Sequence, residues 1–159
     1  MKEERILIVE DDVNISENIE EILQLLGYVN IDIANSANQA IKVVKKYRPD
    51  MVFMDIKLKG DKDGIELGEI IQQMVDAPIV YVTSYSDPAI IERAKRTHPA
   101  GFIVKPFNSN DIHAMVEIVL YNQINEGHGR KTAFKFILEG SKVIYSPTGT
   151  DRKLQHQRN

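Results

Sequence analysis

A chain of 159 residues, 43% apolar and 27% charged, suits one globular domain with a full core and excludes a wholly disordered protein. It has no cysteine, which excludes disulfides and thiolate metal sites and suits a reducing compartment. The net charge of -3 is uneven: residues 1–127 hold 21 acids and 13 Lys/Arg (-8), residues 128–159 hold 2 acids and 7 Lys/Arg (+5), and an acidic body is not built to grip nucleic acid.

Strand and helix signals alternate five times. Ile6-Leu7-Ile8-Val9 is a short continuous apolar run, the mark of a strand covered on both faces. It is too short for a signal-peptide core or a membrane span, so a cytoplasmic protein with no membrane contact is expected. Residues 13–26 carry Ile15, Ile19, Ile22, Leu23 and Leu26 at helical spacing, with Asp12 as the cap and Gly27 as the stop. Val29, Ile31 and Ile33 alternate with polar residues, as on a half-exposed edge strand. Ser36 with Gln39 forms a capping-box pattern ahead of Ala40, Val43, Val44 and Tyr47, and Pro49 ends that helix. Met51–Met54 is the third strand, followed by a helix from Gly64 to Met74. Ile79–Val82 is the fourth strand. Asp87-Pro88 opens a helix to about Thr97. Phe102–Val104 is the fifth strand. Asn108 or Ser109 caps the last helix, with Ile112, Met115, Val116, Val119 and Leu120 on its apolar face.

Five such units in residues 1–125 imply an α/β fold with a doubly wound five-stranded parallel sheet. The alternating second strand must be an edge, which favours the flavodoxin-like order 2-1-3-4-5. Ligands in such sheets sit beyond the carboxyl ends of the strands, where the winding reverses between the first and third. There the first strand ends in Glu10-Asp11-Asp12 and the third in Asp55. A helix cap needs one acid, not three from two strands. Two carboxylates about 4 Å apart repel by roughly 4 kcal/mol at an effective dielectric near 20. A divalent cation is the natural compensation, and carboxylates with water and a phosphate oxygen are the Mg²⁺ pattern, with Mn²⁺ as a substitute. The fourth strand ends in Thr83-Ser84, offering hydroxyls, and the fifth in Lys105, offering one cation. Together they form a site for a phosphoryl group on or near Asp55.

The stretches "ILIVEDD", "MVFMDIKLKGDKDGIE", "IVYVTSYSD" and "GFIVKPF" occur in the order and spacing of a response-regulator receiver domain, which the chain resembles across residues 4–125. The resemblance implies that Asp55 accepts a phosphoryl group from a histidine kinase or phosphotransfer protein. Glu10, Asp11 and Asp55 would hold Mg²⁺ with the backbone carbonyl of Lys57. Thr83 would bind a phosphoryl oxygen, Lys105 would pair with the phosphate across a cis bond to Pro106, and Phe102 matches the aromatic switch position. The implied output is the face of the fourth helix, fifth strand and fifth helix, read by a downstream protein or by a second copy in a homodimer. Lys57 and Tyr85 flank the in-line approach of water, and neither orients a water as an acceptor, so slow hydrolysis is expected. The chain departs from the family pattern at Lys59, where many members carry proline.

Asp61-Lys62-Asp63-Gly64 hints at a calcium loop, but the twelfth position is Gln72 and not glutamate. His98, His113, His128 and His156 lack metal spacing, and no phosphate-binding glycine fingerprint occurs, so no nucleotide cofactor is expected. Residues 126–159 read as a C-terminal extension, with a β-hairpin at 133–146 and a disordered basic end. The runner-up functions are an Asp-nucleophile phosphotransferase or phosphatase and a receiver-like module that is never phosphorylated. The former normally has a general acid two residues beyond its nucleophile, where this chain has Lys57.

Overall fold

The computed structural model of the protein describes residues 1–84, 87–126 and 143–145. Its elements are β1 (Lys2–Val9), α1 (Val13–Leu25), β2 (Tyr28–Ala34), α2 (Ala37–Tyr47), β3 (Met51–Asp55), α3 (Gly64–Met74), β4 (Ile79–Thr83), α4 (Pro88–Lys95), β5 (Gly101–Val104), α5 (Ser109–Glu126) and β6 (Val143–Tyr145). The sheet order is β2-β1-β3-β4-β5-β6. The first five strands are parallel in the order expected from the sequence.

The continuous apolar runs serve two faces at once. Successive strand residues point to opposite sides. Ile6, Ile8 and Phe53 therefore enter a core with α1 and α5, through Ile19, Leu23, Met115 and Val116. Leu7, Val9, Val52 and Met54 enter the other core, with Val44 of α2, Leu67 and Ile71 of α3 and Ala94 of α4. Each such side chain, fully buried, contributes about 1.5–3 kcal/mol relative to exposure.

The caps follow the sequence signals. The carboxylate of Asp12 accepts from the Asn14 amide, Ser36 Oγ accepts from the Gln39 amide, and Asp87 accepts from the Ala89 amide ahead of Pro88 at the first turn. Asn108 Oδ1 accepts from the Asp111 amide while Asp111 Oδ2 accepts from the Asn108 amide, closing the start of α5. The Lys105–Pro106 bond is cis.

Four details depart from the sequence reading. The first strand starts at Lys2 because β2 extends alongside it. Tyr47 is 40% exposed, its ring lying under the Arg5 guanidinium at 4.5 Å and not in the core. The fourth helix ends at Lys95, and Thr97 beyond it donates to the Ala94 carbonyl and hydrogen-bonds the buried Tyr81 hydroxyl at 2.8 Å. A Cβ on Gly68 would lie 2.7 Å from that hydroxyl, so α3 has glycine where the tyrosine ends. Finally, Val143–Tyr145 pairs antiparallel with β5 as a sixth strand. The rest of the hairpin expected at 133–146, and the basic end, lie outside the described residues.

Candidate functional site

The register of two central strands brings the acids together. Val9 of β1 lies opposite Met54 of β3, so Glu10 and Asp55 emerge next to each other at the carboxyl ends. The Glu10 amide donates to the Ala34 carbonyl, which fixes its backbone. Oxygens of Glu10, Asp11 and Asp55 all lie within 4.8 Å of one another. Glu10 and Asp55 are buried at 3% and 5% exposure, while Asp11 is half-buried at the rim. The crevice is an open cavity of about 310 Å³ lined by the three acids with Asp12, Ile15, Lys57, Lys59, Ser84 and Lys105.

Lys105 reaches this cluster from the end of β5. Its Nζ lies 3.4 Å from Glu10 Oε1 and 3.6 Å from Asp55 Oδ1. Glu10 and Asp55 are both buried beside this ammonium, so their charges are largely removed from water. Burial first, and the Asp55 charge second, push Glu10 from its ordinary 4.5 up to about 7, against the opposing pull of Lys105. The folded state therefore binds a proton at Glu10 that the unfolded chain has released between pH 4.5 and 7. Stability from this group falls as pH rises through that window, by about 3 kcal/mol in full. The stability gap between the parent and Glu10→Gln, measured by chemical denaturation without divalent cation, should accordingly shift in favour of the variant between pH 4.5 and 8. A gap that does not change with pH would remove this account.

Backbone amides hold the other two acids. The Lys57 amide donates to Asp55 Oδ1 at 3.1 Å, and the Lys59 amide donates to Asp11 Oδ2 at 3.2 Å. The second bond gives the departure at Lys59 a consequence, since proline there would have no N–H to offer. The sequence reading has Gly64 as a loop glycine and the start of the third helix, with no role at the site, yet its position is among the most constrained. A Cβ there would collide with the Asp55 carbonyl oxygen and lie 2.8 Å from the carbonyl carbon and from Ile56 Cα. Its amide donates to the Ile56 carbonyl at 2.8 Å, so α3 starts directly against the end of β3. Asp63 caps the Glu66 amide with one oxygen and pairs with Arg93 of α4 at 2.8 Å with the other. Its carboxylate is thus engaged by protein groups, against the calcium-loop reading.

Thr83 closes β4 at 3% exposure, and its carbonyl accepts from the Lys105 amide. Ser84, not Thr83, lines the crevice. Phe102 is 4% exposed and packs on Tyr81 with ring centroids 5.7 Å apart. The ring at the expected aromatic switch position thus lies in the core. Tyr85 lies outside the described residues.

Sheet order and side chains together define a class: a doubly wound α/β domain whose carboxyl-end crevice gathers three acids, two of them ion-paired with Lys105. The family model for the response regulator receiver domain matches residues 6–117, and the chain belongs to that family. It is similar to sporulation initiation phosphotransferase F of Bacillus subtilis, 33% identical over 119 residues that cover 74% of this chain and 94% of that one. The transcriptional regulatory protein PdtaR of Mycobacterium tuberculosis is 29% identical over 147 residues, covering 91% of this chain and 71% of the relative. Among solved structures, a CheY-like response regulator receiver domain protein from Methanospirillum hungatei superposes with a TM-score of 0.74 at 28% identity, over 79% of this chain and 100% of that one. Receiver domains are signalling switches of two-component systems and bind Mg²⁺ through an acidic cluster. Three hard carboxylate oxygens at this spacing fit such an ion. No helix among the described residues is long and apolar enough to cross a membrane.

Proposed function

We propose that the chain is a phosphoacceptor switch in a two-component phosphorelay, with Asp55 as the acceptor. The observation that carries this reading is the convergence of Glu10, Asp11 and Asp55 beside Lys105 in one crevice. A carboxylate oxygen of Asp55 attacks the phosphorus of a phosphohistidine on a histidine kinase or phosphotransfer protein. The new P–O bond forms as the P–N bond breaks, and the imidazole leaves with the electron pair and takes up a proton.

Glu10, Asp11, Asp55 and the Lys57 carbonyl would hold Mg²⁺, or Mn²⁺ in its place, which neutralises charge that builds on the transferring group. Lys105, which lines the crevice, would pair with the arriving phosphate, and the Thr83 hydroxyl, which does not line it here, would turn toward the phosphate to bind one of its oxygens. Lys57, exposed and lining the crevice, would influence the approach of water during hydrolysis. The change is read on the face of α4, β5 and α5, through Thr83 and Phe102, by a downstream protein or a second copy. A cytoplasmic site of action suits a kinase donor.

Incubation with acetyl phosphate and Mg²⁺, followed by intact mass, tests the reading. One added phosphoryl group is expected, lost when chelator is present. No labelling, or full labelling in excess chelator, would overturn it.

A further inference from the structure

The outer side of β5 is a sheet edge that the chain covers with its own tail. Gly101, Phe102 and Ile103 lie opposite Tyr145, Ile144 and Val143 of β6. Every other strand pair described in this sheet is parallel, and this one is antiparallel. The direction is informative. Two copies joined edge to edge about a two-fold axis would present their β5 strands antiparallel, because the axis reverses one strand relative to the other. β6 thus lies where a partner's β5 would lie, running the same way. The central residue that it pairs is Phe102.

An uncovered edge is a template for another chain, and native proteins cover such edges. We propose that β6 is an intramolecular guard of the β5 edge, and that the partner it excludes is a second copy of this chain docking through β5. A tethered strand competes at an effective concentration on the order of millimolar, so a copy at micromolar concentration is excluded while the strand is in place. The proposal rests on the reading of the α4, β5 and α5 face as the output surface for its consequence, but the strand pairing stands apart from that reading.

The absence of cysteine allows a direct test. Residues directly opposite in an antiparallel pair have Cβ atoms about 4.5–5.5 Å apart, near the range that a disulfide closes. Oxidation of the full-length Ile103→Cys/Val143→Cys variant should give an internal disulfide in a monomer, seen by intact mass. A disulfide-linked dimer would put the strand in trans, and free thiols would deny the pairing; either overturns the guard. In a second variant, Ile144→Pro takes one N–H from the strand. It should self-associate at a concentration at least tenfold lower than the parent, by light scattering, and the oxidised double-cysteine variant should remain monomeric. A proline variant as monomeric as the parent would overturn the guard. Acetyl phosphate labelling should persist in both variants. Its loss in the parent would strike the phosphoacceptor reading and leave the disulfide result standing.

Discussion

Replacing Asp55 by asparagine is expected to abolish labelling by acetyl phosphate while the fold is retained. Asp55 is the last residue of a strand buried along its whole length, so its carboxylate is held rigidly at the sheet end. Rigid placement of a nucleophile is the main contribution that a protein makes to phosphoryl transfer. An amide of the same shape occupies the same space but offers no anionic oxygen. The same change removes two of the three carboxylate pairs, each worth roughly 4 kcal/mol of repulsion at 4 Å and an effective dielectric near 20. Lys105 loses one partner and keeps the other, Glu10 at 3.4 Å. The unfolding midpoint without divalent cation should therefore not fall, and Glu10 should titrate nearer to its ordinary value, because the Asp55 charge helps to raise it. Labelling of this variant at the parent rate would mean that another residue accepts the phosphoryl group.

Gly64→Ala should have the largest effect of any change that leaves the acids untouched. The added methyl group would meet the carbonyl of Asp55 and the Cα of Ile56, which are backbone and cannot rotate aside. Overpacking of this kind costs about 1–3 kcal/mol. The collision is with the peptide unit of Asp55, the proposed acceptor, so relief must come from moving Asp55 or the start of α3. A displacement of about 1 Å can cost on the order of 100-fold in rate. We expect a loss of about 2–3 kcal/mol in chemical denaturation and a labelling rate lower by about 100-fold. Gly60→Ala is the contrast. Gly60 has φ +121°, which strains any other residue, but no atom lies within 4 Å of a Cβ there. Its variant should lose about 1 kcal/mol and label at nearly the parent rate. Equal labelling by the parent and Gly64→Ala would show that the start of α3 does not position the acceptor.

What the sequence by itself determined is the part governed by local periodicity and by chain-connection rules. Apolar runs such as Ile6–Val9 and Ile79–Val82 mark strands buried on both faces. Right-handed crossovers leave few topologies, and the alternating second strand, marking an edge, favours the order 2-1-3-4-5 among them. That order alone makes Glu10 and Asp55 neighbours. The caps at Asp12, Ser36 and Asp87 were legible for the same reason, since a cap acts within three residues, while the choice between Asn108 and Ser109 was decided by the Asp111 amide on Asn108. Only the tertiary structure decided contacts between residues distant in the chain. The Lys59 amide on Asp11, the Arg93–Asp63 pair, the Tyr81–Thr97 bond and the closeness of Gly64 to Asp55 depend on how near two elements pack, and no spacing along the chain encodes that distance. Phe102 is inside for a similar reason: the space beside Tyr81 is defined by α3, α4 and β4 together, not by the strand that carries the ring. The tail is the extreme case. Val143–Tyr145 looks like any short strand; the five parallel strands leave two edges, β2 and β5, and only the tertiary structure decided that it pairs with β5.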